Sequence, residues 1–457
     1  MLKLAILGYG AEGKSVEKYF KTHPYENVAP KDIEIKIFDK FEDKDIDNFK
    51  LENFDVVFRT PSVRPHYDFK KFSTDDNHSP NEDQYKMEFK KPYWTSATKY
   101  FFEHCPCEII AVSGTKGKGT TCSMITALIN SINSQIYSDQ KNTPKTFLVG
   151  NIGTPALDVL DQITANDNVV FEMSSFQLWD LHTGSYVGVL LRIEPDHLNI
   201  HYDFDDYVYA KSAVSRYKTE NDFLVYFAKN ETTKALADKS IAKKLAYPIK
   251  SDNPKLNALL DSLKIPGEHN RENAEAALLA ICARFFNGDL DLMLSSELYP
   301  ALKSGLKNFK GLPHRCQFLR ELNNVRYYDD NYSSALPALD VAMQAFENFP
   351  TVLIAGGFSK GTDEQVKARI FSAKNLTKAI LIGDTAKVLA EGEDKTKYEL
   401  ASSLEDAVKK ARTAAEKIAT PDKPAIVLMS PGFASFDMFK NFTDRGEQFT
   451  KLIGGLE

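Results

Sequence analysis

Residues 111–121 (AVSGTKGKGTT) place Gly114, Gly117 and Gly119 around Lys116 and Lys118, directly after the apolar run 109–112. A strand, a glycine-rich turn and a lysine at a helix start form a phosphate cradle, in which backbone N–H groups and the ammonium hold the anion. Glycine lets the backbone approach that anion closely. Met124, Ile125, Leu128, Ile129 and Ile132 then recur on one helical face. The spacing departs twice from G-x-x-x-x-G-K-[ST]. Val112 stands at the first glycine, and Gly119 stands where a hydroxyl residue for Mg²⁺ belongs. Thr120 or a water is the expected replacement.

Three further groups offer chemistry. The apolar run 168–171 ends in Glu172, and a carboxylate at the tip of a buried strand beside a phosphate loop suits a divalent cation. Alone, such an acid is more often a helix cap or a surface charge. The run 187–191 leads to Glu194-Pro195-Asp196-His197, and Lys211 sits in the helical pattern 207–214. Taken singly, these are a structural histidine and a solvated lysine. Near the C-terminus come GLPHR (311–315), DDNYSS (329–334), GGFSKG (356–361) and SFDMFKNF (435–442). Arg315 and Lys360, on loops of one domain, can clamp an anionic substrate; read without that context they are surface charges.

The elements that must position these residues alternate strand and helix, which predicts parallel sheets wrapped by helices. The first block runs from strand 4–7 through GYGAEG (8–13) into a helix, and its second strand, 34–38, ends at Asp39. A G-x-G-x-x-G turn with an acid after the next strand is the dinucleotide layout, although any Rossmann-like domain holding a diphosphate shares it. A third strand, 54–58, leads into Arg59-Thr60-Pro61-Ser62, and the polar stretch 73–91 reads as a solvated insertion. Gly311-Leu312-Pro313 suits an interdomain hinge. The expected fold is α/β in three domains: Rossmann-like over 1–103, a central ATPase-like domain over 104–311, and Rossmann-like over 312–457.

The 457 residues suffice for about three domains. A net charge of −6 gives no electrostatic case for nucleic acid or an anionic membrane. No apolar run is long enough to span a bilayer, and the start reads as a strand entering a glycine turn rather than a signal peptide. Cys105, Cys107, Cys122, Cys282 and Cys316 form an odd, scattered set without a C-x-x-C pair, so neither a disulfide framework nor a zinc ribbon is expected. The expected compartment is the cytoplasm.

In order, the segments GNIGTPAL (150–157), FEMSSFQL (171–178), EPDHL with YVYAKSAV, GEHNRENAEAAL (267–278), GLPHR, AGGFSKG and SPGFASFDMFKNFTDRG (430–446) resemble the Mur ligase family along nearly the whole chain. SSFQL and ASFDMFKNF point to its D-glutamate-adding branch. The resemblance implies that ATP phosphorylates the carboxylate of UDP-MurNAc-L-Ala and that the D-glutamate amine attacks the acyl phosphate, in peptidoglycan precursor synthesis. It assigns the ATP phosphates to Gly114, Thr115, Lys116, Gly117, Lys118, Gly119, Thr120 and Thr121. Asn270, Asn273, Arg315 and Asp330 become further ATP contacts. Two Mg²⁺ ions fall to Glu172, His197 and a carbamylated Lys211, which with Lys118 form the catalytic set. The uridine diphosphate substrate falls to Ala11, Glu12, Asp39, Thr60, Ser62, Asn151 and His197, so that the first glycine turn binds UDP rather than NAD. D-Glutamate falls to Ser334, Lys360, Ser435 and Phe442. The resemblance implies a cytoplasmic step on small molecules. The three-domain layout suggests that the last domain swings in to react, and a monomer without nucleic-acid or membrane partners is the default expectation. Gly119, Asn331-Tyr332-Ser333-Ser334, Asn199-Ile200 and Thr60-Pro61-Ser62 depart from the family pattern. GTKGKG is similar to the loop of folylpolyglutamate synthetases, the alternative reading. A dehydrogenase, a zinc-ribbon amidotransferase partner and a non-catalytic regulator account for fewer of the segments.

Overall fold

The structure, a computed structural model, describes residues 1–39, 50, 53–64, 93–137, 143–249, 252–359 and 361–457. The insertion expected at 73–91 and the ligand residue expected at Lys360 lie outside the described residues.

Three sheets form, the first two around the apolar runs read as strands. The first contains β1 (Leu2–Leu7), β2 (Ile33–Phe38), β3 (Val56–Arg59) and β4 (Tyr93–Ser96), in the order β2-β1-β3-β4 and parallel throughout. Four consecutive buried residues, Leu4 to Leu7, require cover on both sheet faces, as helix-wrapped parallel strands have. The third strand starts later than the apolar run suggests. Asp55 instead accepts a hydrogen bond from the Lys3 amide at 2.9 Å, and Phe54 packs edge-on against Phe38.

The second sheet contains β5 (Ile109–Ser113), β6 (Thr146–Gly150), β7 (Asn168–Glu172), β8 (Val187–Leu190), β9 (Phe223–Phe227) and β10 (Lys243–Tyr247). Its order is β10-β9-β8-β5-β7-β6, again all parallel. The strand before the phosphate loop therefore lies inside the sheet between β7 and β8, with the loop at its carboxyl end, where open α/β sheets bind ligands.

The chain forms two compact units. Met1–Leu259 and Glu272–Gly305 form the first, which holds both sheets described so far. These sheets share one hydrophobic core. Leu4, Ile6, Phe20 and Phe58 belong to the same buried cluster as Ile109, Val149 and Phe171. Each such side chain contributes about 1.5–3 kcal/mol by leaving water.

Leu260–Arg271 and Leu306–Glu457 form the second unit. Its sheet comprises β11 (Gln317–Leu322), β12 (Val325–Asp329), β13 (Thr351–Gly356), β14 (Leu376–Ile382), β15 (Tyr398–Leu400) and β16 (Ala425–Met429). The order is β11-β12-β16-β13-β14-β15, with only β11 antiparallel to its neighbour. Separate apolar clusters pack against this sheet, one around Leu339, Met343 and Leu353 and another around Val408, Val427 and Phe449. Among the described residues no helix is long and apolar enough to cross a membrane.

Candidate active site

The phosphate loop is shaped by two glycines that no other residue can replace without strain. Gly114 has φ +150°, and a Cβ there would lie 2.6 Å from Leu191 Cβ. Gly117 has φ +86° as the N-cap of the helix Lys118–Ile136, and a Cβ there would lie 2.5 Å from Asn273 Oδ1. Asn273 thus packs on the loop it is predicted to serve. Gly117 has no side chain to cap the helix, so the first-turn amides are left for a ligand.

Two lysines converge on one carbonyl. Lys118 Nζ donates to the Gly114 and Thr115 carbonyls at 3.1 and 3.0 Å, and Lys211 Nζ donates to the same Gly114 carbonyl at 2.8 Å. Lys211 also reaches Ser113 Oγ at 3.4 Å, and that hydroxyl donates to the Met173 carbonyl at 2.9 Å. Asp203 caps the helix Phe204–Arg216, which carries Lys211 inward until only 1% of it is exposed. Burial, reinforced by the Lys118 charge, holds the Lys211 pKa well below that of an ordinary lysine. The helical lysine is therefore a core amine biased toward its neutral form.

Thr115 ties the loop to the segment that carries His197. Its hydroxyl donates to the Glu194 carbonyl and accepts from the Glu194 amide, both at 2.9 Å, with Tyr207 Oη also 2.9 Å away. Glu172 is the last residue of β7, in register with Val112 of β5 and Gly150 of β6, and is buried. Its Oε1 accepts from Asn151 Nδ2 at 3.0 Å, so these two predicted residues meet. The hydroxyl of Thr121 is buried with no partner, two positions beyond the missing hydroxyl at Gly119. Lys116 is exposed, and Thr120 is half-buried.

His197 forms no hydrogen bond with this group. It adopts a left-handed backbone with φ +53°, and its exposed ring lies 3.7 Å from Asp196 and against Phe176. Among the described residues, no group of three or more His, Cys, Asp or Glu side chains is arranged to hold a metal. The buried histidine is His201, to which no sequence motif pointed. Its Nδ1 lies 3.1 Å from Asp206 and its Nε2 2.9 Å from Ser175 Oγ, while Arg64 donates to the same Asp206 oxygen at 2.8 Å.

On the first sheet, Asp39, Thr60 and Ser62 converge on the glycine turn as predicted. A Cβ at Gly8 would collide with Thr60 Oγ1 and lie 2.8 Å from Ser62 Oγ; the two hydroxyls are 2.9 Å apart. Asp39 accepts from the Tyr9 amide. The helix Ala11–Phe20 starts from Gly10 without a side-chain cap, again leaving amides for an anion, with Ala11 exposed beside them. Glu12, however, faces the central sheet's elements. Gln177 Nε2 donates to it at 2.6 Å, its other oxygen is buried without a partner, and burial raises its pKa. Arg59 was expected to lead into a loop. It is instead a fully buried strand end, paired with both Asp180 oxygens and donating to the Phe176 carbonyl at 3.0 Å.

In the second unit, the guanidinium of exposed Arg315 lies 3.9 Å from the Tyr332 ring, whose edge meets Phe442 at 5.4 Å between centroids. This brings three of the substrate-motif residues together. Ser334 is half-buried, and Ser435 is buried with its carbonyl bonded to the Phe439 amide at 2.9 Å. Asp330 accepts from the Cys316 amide, Ser430 and Ser333, and burial lifts its pKa to about 6. It therefore pins three segments of its own unit. Asn270 Nδ2 bonds the Pro266 carbonyl at 2.6 Å.

Sequence reading missed the centre of this unit. Arg445 is wholly buried and donates to Asn331 Oδ1 at 2.7 Å and to the Phe433 carbonyl at 3.2 Å. Burial lowers its pKa to about 10. Asn331 in turn donates to Asp329 at 2.6 Å, and Asp329 lies 2.7 Å from His314 Nδ1. Arg445 lies inside the quoted segment 430–446, but no role was assigned to it, and a surface charge is the ordinary expectation for an arginine.

Comparison with known proteins identifies the family and the fold. Residues 112–281 match the Mur ligase middle domain family. A UDP-N-acetylmuramoylalanine–D-glutamate ligase of Clostridium tetani is 31% identical over 431 residues, covering 89% of this chain and 84% of the relative. The enzyme of that name from Clostridium kluyveri is 29% identical over 488 residues, covering 99% and 97%. Among solved structures, a UDP-N-acetylmuramoylalanyl-D-glutamyl-2,6-diaminopimelate–D-alanyl-D-alanyl ligase from Acinetobacter baumannii superposes with a TM-score of 0.51 at 16% identity, covering 78% of each chain. The MurF ligase of Thermotoga maritima with ADP gives 0.50 at 15% identity, covering 98% and 93%. These two likenesses establish the shared fold. By identity and coverage, the chain belongs to the Mur ligase family, in the branch of the UDP-N-acetylmuramoylalanine–D-glutamate ligases.

Proposed function

We propose that this protein is an ATP-dependent ligase that joins D-glutamate to UDP-N-acetylmuramoyl-L-alanine during peptidoglycan precursor synthesis. The observation that carries the reading is the meeting of Lys118 and Lys211 at the Gly114 carbonyl, in a chain of this family. A carboxylate is a poor electrophile. Its oxygen attacks the γ-phosphorus of ATP and ADP leaves. The D-glutamate amine then attacks the carbonyl carbon of the acyl phosphate. The C–N bond forms, the C–O bond to phosphate breaks, and inorganic phosphate and the amine proton are released. Lys118 and the amides of residues 114–121 would hold the phosphates and offset the charge of the transition state.

A divalent cation fits the donors present, since Glu172 is a buried carboxylate and Thr121 an orphaned buried hydroxyl. Mg²⁺, when bound, neutralises phosphate charge. The reading assigns it to Glu172, His197 and a carbamylated Lys211, with two ions expected; the depressed pKa of Lys211 supplies the neutral amine that carbamylation needs. Residues 1–103, 104–311 and 312–457 act as the nucleotide-sugar, ATP and amino-acid domains. Asn270, Asn273, Arg315 and Asp330 contribute to ATP. Ala11, Glu12, Asp39, Thr60, Ser62, Asn151 and His197 contribute to the UDP substrate, and Ser334, Lys360, Ser435 and Phe442 to D-glutamate. The protein is expected to act as a cytoplasmic monomer.

Hydroxylamine trapping tests the intermediate. With ATP, Mg²⁺ and UDP-N-acetylmuramoyl-L-alanine but no amino acid, the nucleotide sugar should accumulate as its hydroxamate. ADP release without hydroxamate would mean that phosphate passes to water and that no acyl phosphate forms.

A further inference from the structure

Cys105 and Cys107 flank Pro106 in the connection between the helix Ala97–His104 and β5. A search for C-x-x-C passes over this pair, yet the fold brings the sulfurs to 3.8 Å. Cys105 leaves the helix with φ −66° and ψ 123°, and the proline ring fixes the next φ, so the connection is extended. In extended backbone, residues i and i+2 share a face. Both cysteines are half-buried against the core that joins the first two sheets. Cys122 and Cys282 are buried, and burial pushes their thiols up, Cys282 to about 12. Cys316 is half-buried in the second unit, and desolvation raises its thiol well above the usual value.

We infer that Cys105 and Cys107 form an oxidisable dithiol, a modification site that closes to an intramolecular disulfide on reaction with a hydroperoxide. The geometry carries the inference: a disulfide needs an S–S distance of about 2 Å, so the sulfurs must close by somewhat less than that. The electrostatics agree. Either sulfur can donate in this contact; with Cys107 as donor, the bond favours the Cys105 thiolate and holds Cys107 in the thiol form. In its protonated form Cys105 Sγ donates to the Cys107 carbonyl at 3.5 Å, and the Arg284 charge, paired with Glu108, lies near Cys107. Cys105 thiolate attacks a peroxide oxygen, the O–O bond breaks, and the leaving hydroxide takes a proton. The Cys107 sulfur then attacks the sulfenic sulfur, forming S–S, breaking S–O and releasing water. Two thiols and one hydrogen peroxide give one disulfide and two waters. A three-residue ring is strained, so a thiol such as dithiothreitol should reopen it readily.

The test uses the reduced full-length chain and a small excess of hydrogen peroxide. Intact mass should fall by about two daltons, the loss should map to the proteolytic peptide holding both cysteines, and dithiothreitol should reverse it. Iodoacetamide should label Cys105 at least tenfold faster than Cys122 or Cys282. Cys105→Ser and Cys107→Ser should each abolish the loss, with Cys107→Ser instead taking up oxygen or a glutathione adduct at Cys105. A loss that persists in either variant, a bridge mapped to other cysteines, or oxygen addition to the wild-type peptide without bridging would overturn the inference. Wild-type mapping suffices if a variant fails to fold, and no readout depends on the ligase activity.

Discussion

Lys211 and Lys118 bond the same carbonyl but have different electrostatic tasks, and substitution separates them. Lys118 is half-buried and close to where phosphate charge would sit, so Lys118→Ala should lower kcat/KM for ATP by roughly 100-fold or more. Lys211 is buried and biased toward the neutral amine. Arginine cannot become neutral in a protein. Lys211→Arg should therefore lose about as much activity, whereas retained turnover in steady-state assays would make Lys211 a plain cation. In the second unit, the hydrogen bond to Asp329 raises the His314 pKa above 6.5. Stability from protonated His314 is thus fully present below about 6.5 and is lost as pH rises through the folded value. Urea unfolding between pH 6 and 9 should show that decline in the wild type and a flatter profile in His314→Gln.

At the scale of elements, Arg59 at the end of β3 and Asp180 beyond β7 join the first two sheets by a buried bidentate pair. Arg59→Ala leaves Asp180 buried and uncompensated, a loss of about 3–5 kcal/mol. Replacing both by leucine should recover most of it. If Arg59→Ala unfolds at the wild-type denaturant midpoint, the pair does not hold the sheets together. None of this pairing was legible in the sequence, because Arg59 and Asp180 are 121 residues apart and hydropathy patterns report buried faces rather than distant partners. Strands such as 4–7, 34–38, 109–112, 168–171 and 187–191 were legible as apolar runs and the two glycine turns by their spacing, whereas β4, β6, β9 and β10 were not singled out. The same contrast separates His197 from His201. A motif singled out the exposed histidine, while the buried one depends on Ser175 and Asp206, which only folding brings to it. Arg445 was illegible for a further reason: a buried guanidinium bonded mainly to neutral carbonyls and an amide breaks the expectation that charge lies outside.

For the whole molecule, the order of short segments was more informative than any one of them. The glycine loop alone left a hydroxyl unaccounted for, and the first glycine turn alone equally suited a dinucleotide. Their order along the chain points to a nucleotide-sugar turn, an ATP loop and an amino-acid region, and two ligases of the D-glutamate-adding branch match over 89% and 99% of the chain. The central claim, D-glutamate ligation driven by ATP, is tested most directly by ADP release with Mg²⁺, bicarbonate, ATP and UDP-N-acetylmuramoyl-L-alanine. D-Glutamate, L-glutamate and no amino acid are compared in parallel. The account predicts sustained turnover with D-glutamate alone. Turnover that requires L-glutamate and a reduced folate in place of the nucleotide sugar would contradict it and assign the chain the activity of the folylpolyglutamate synthetases.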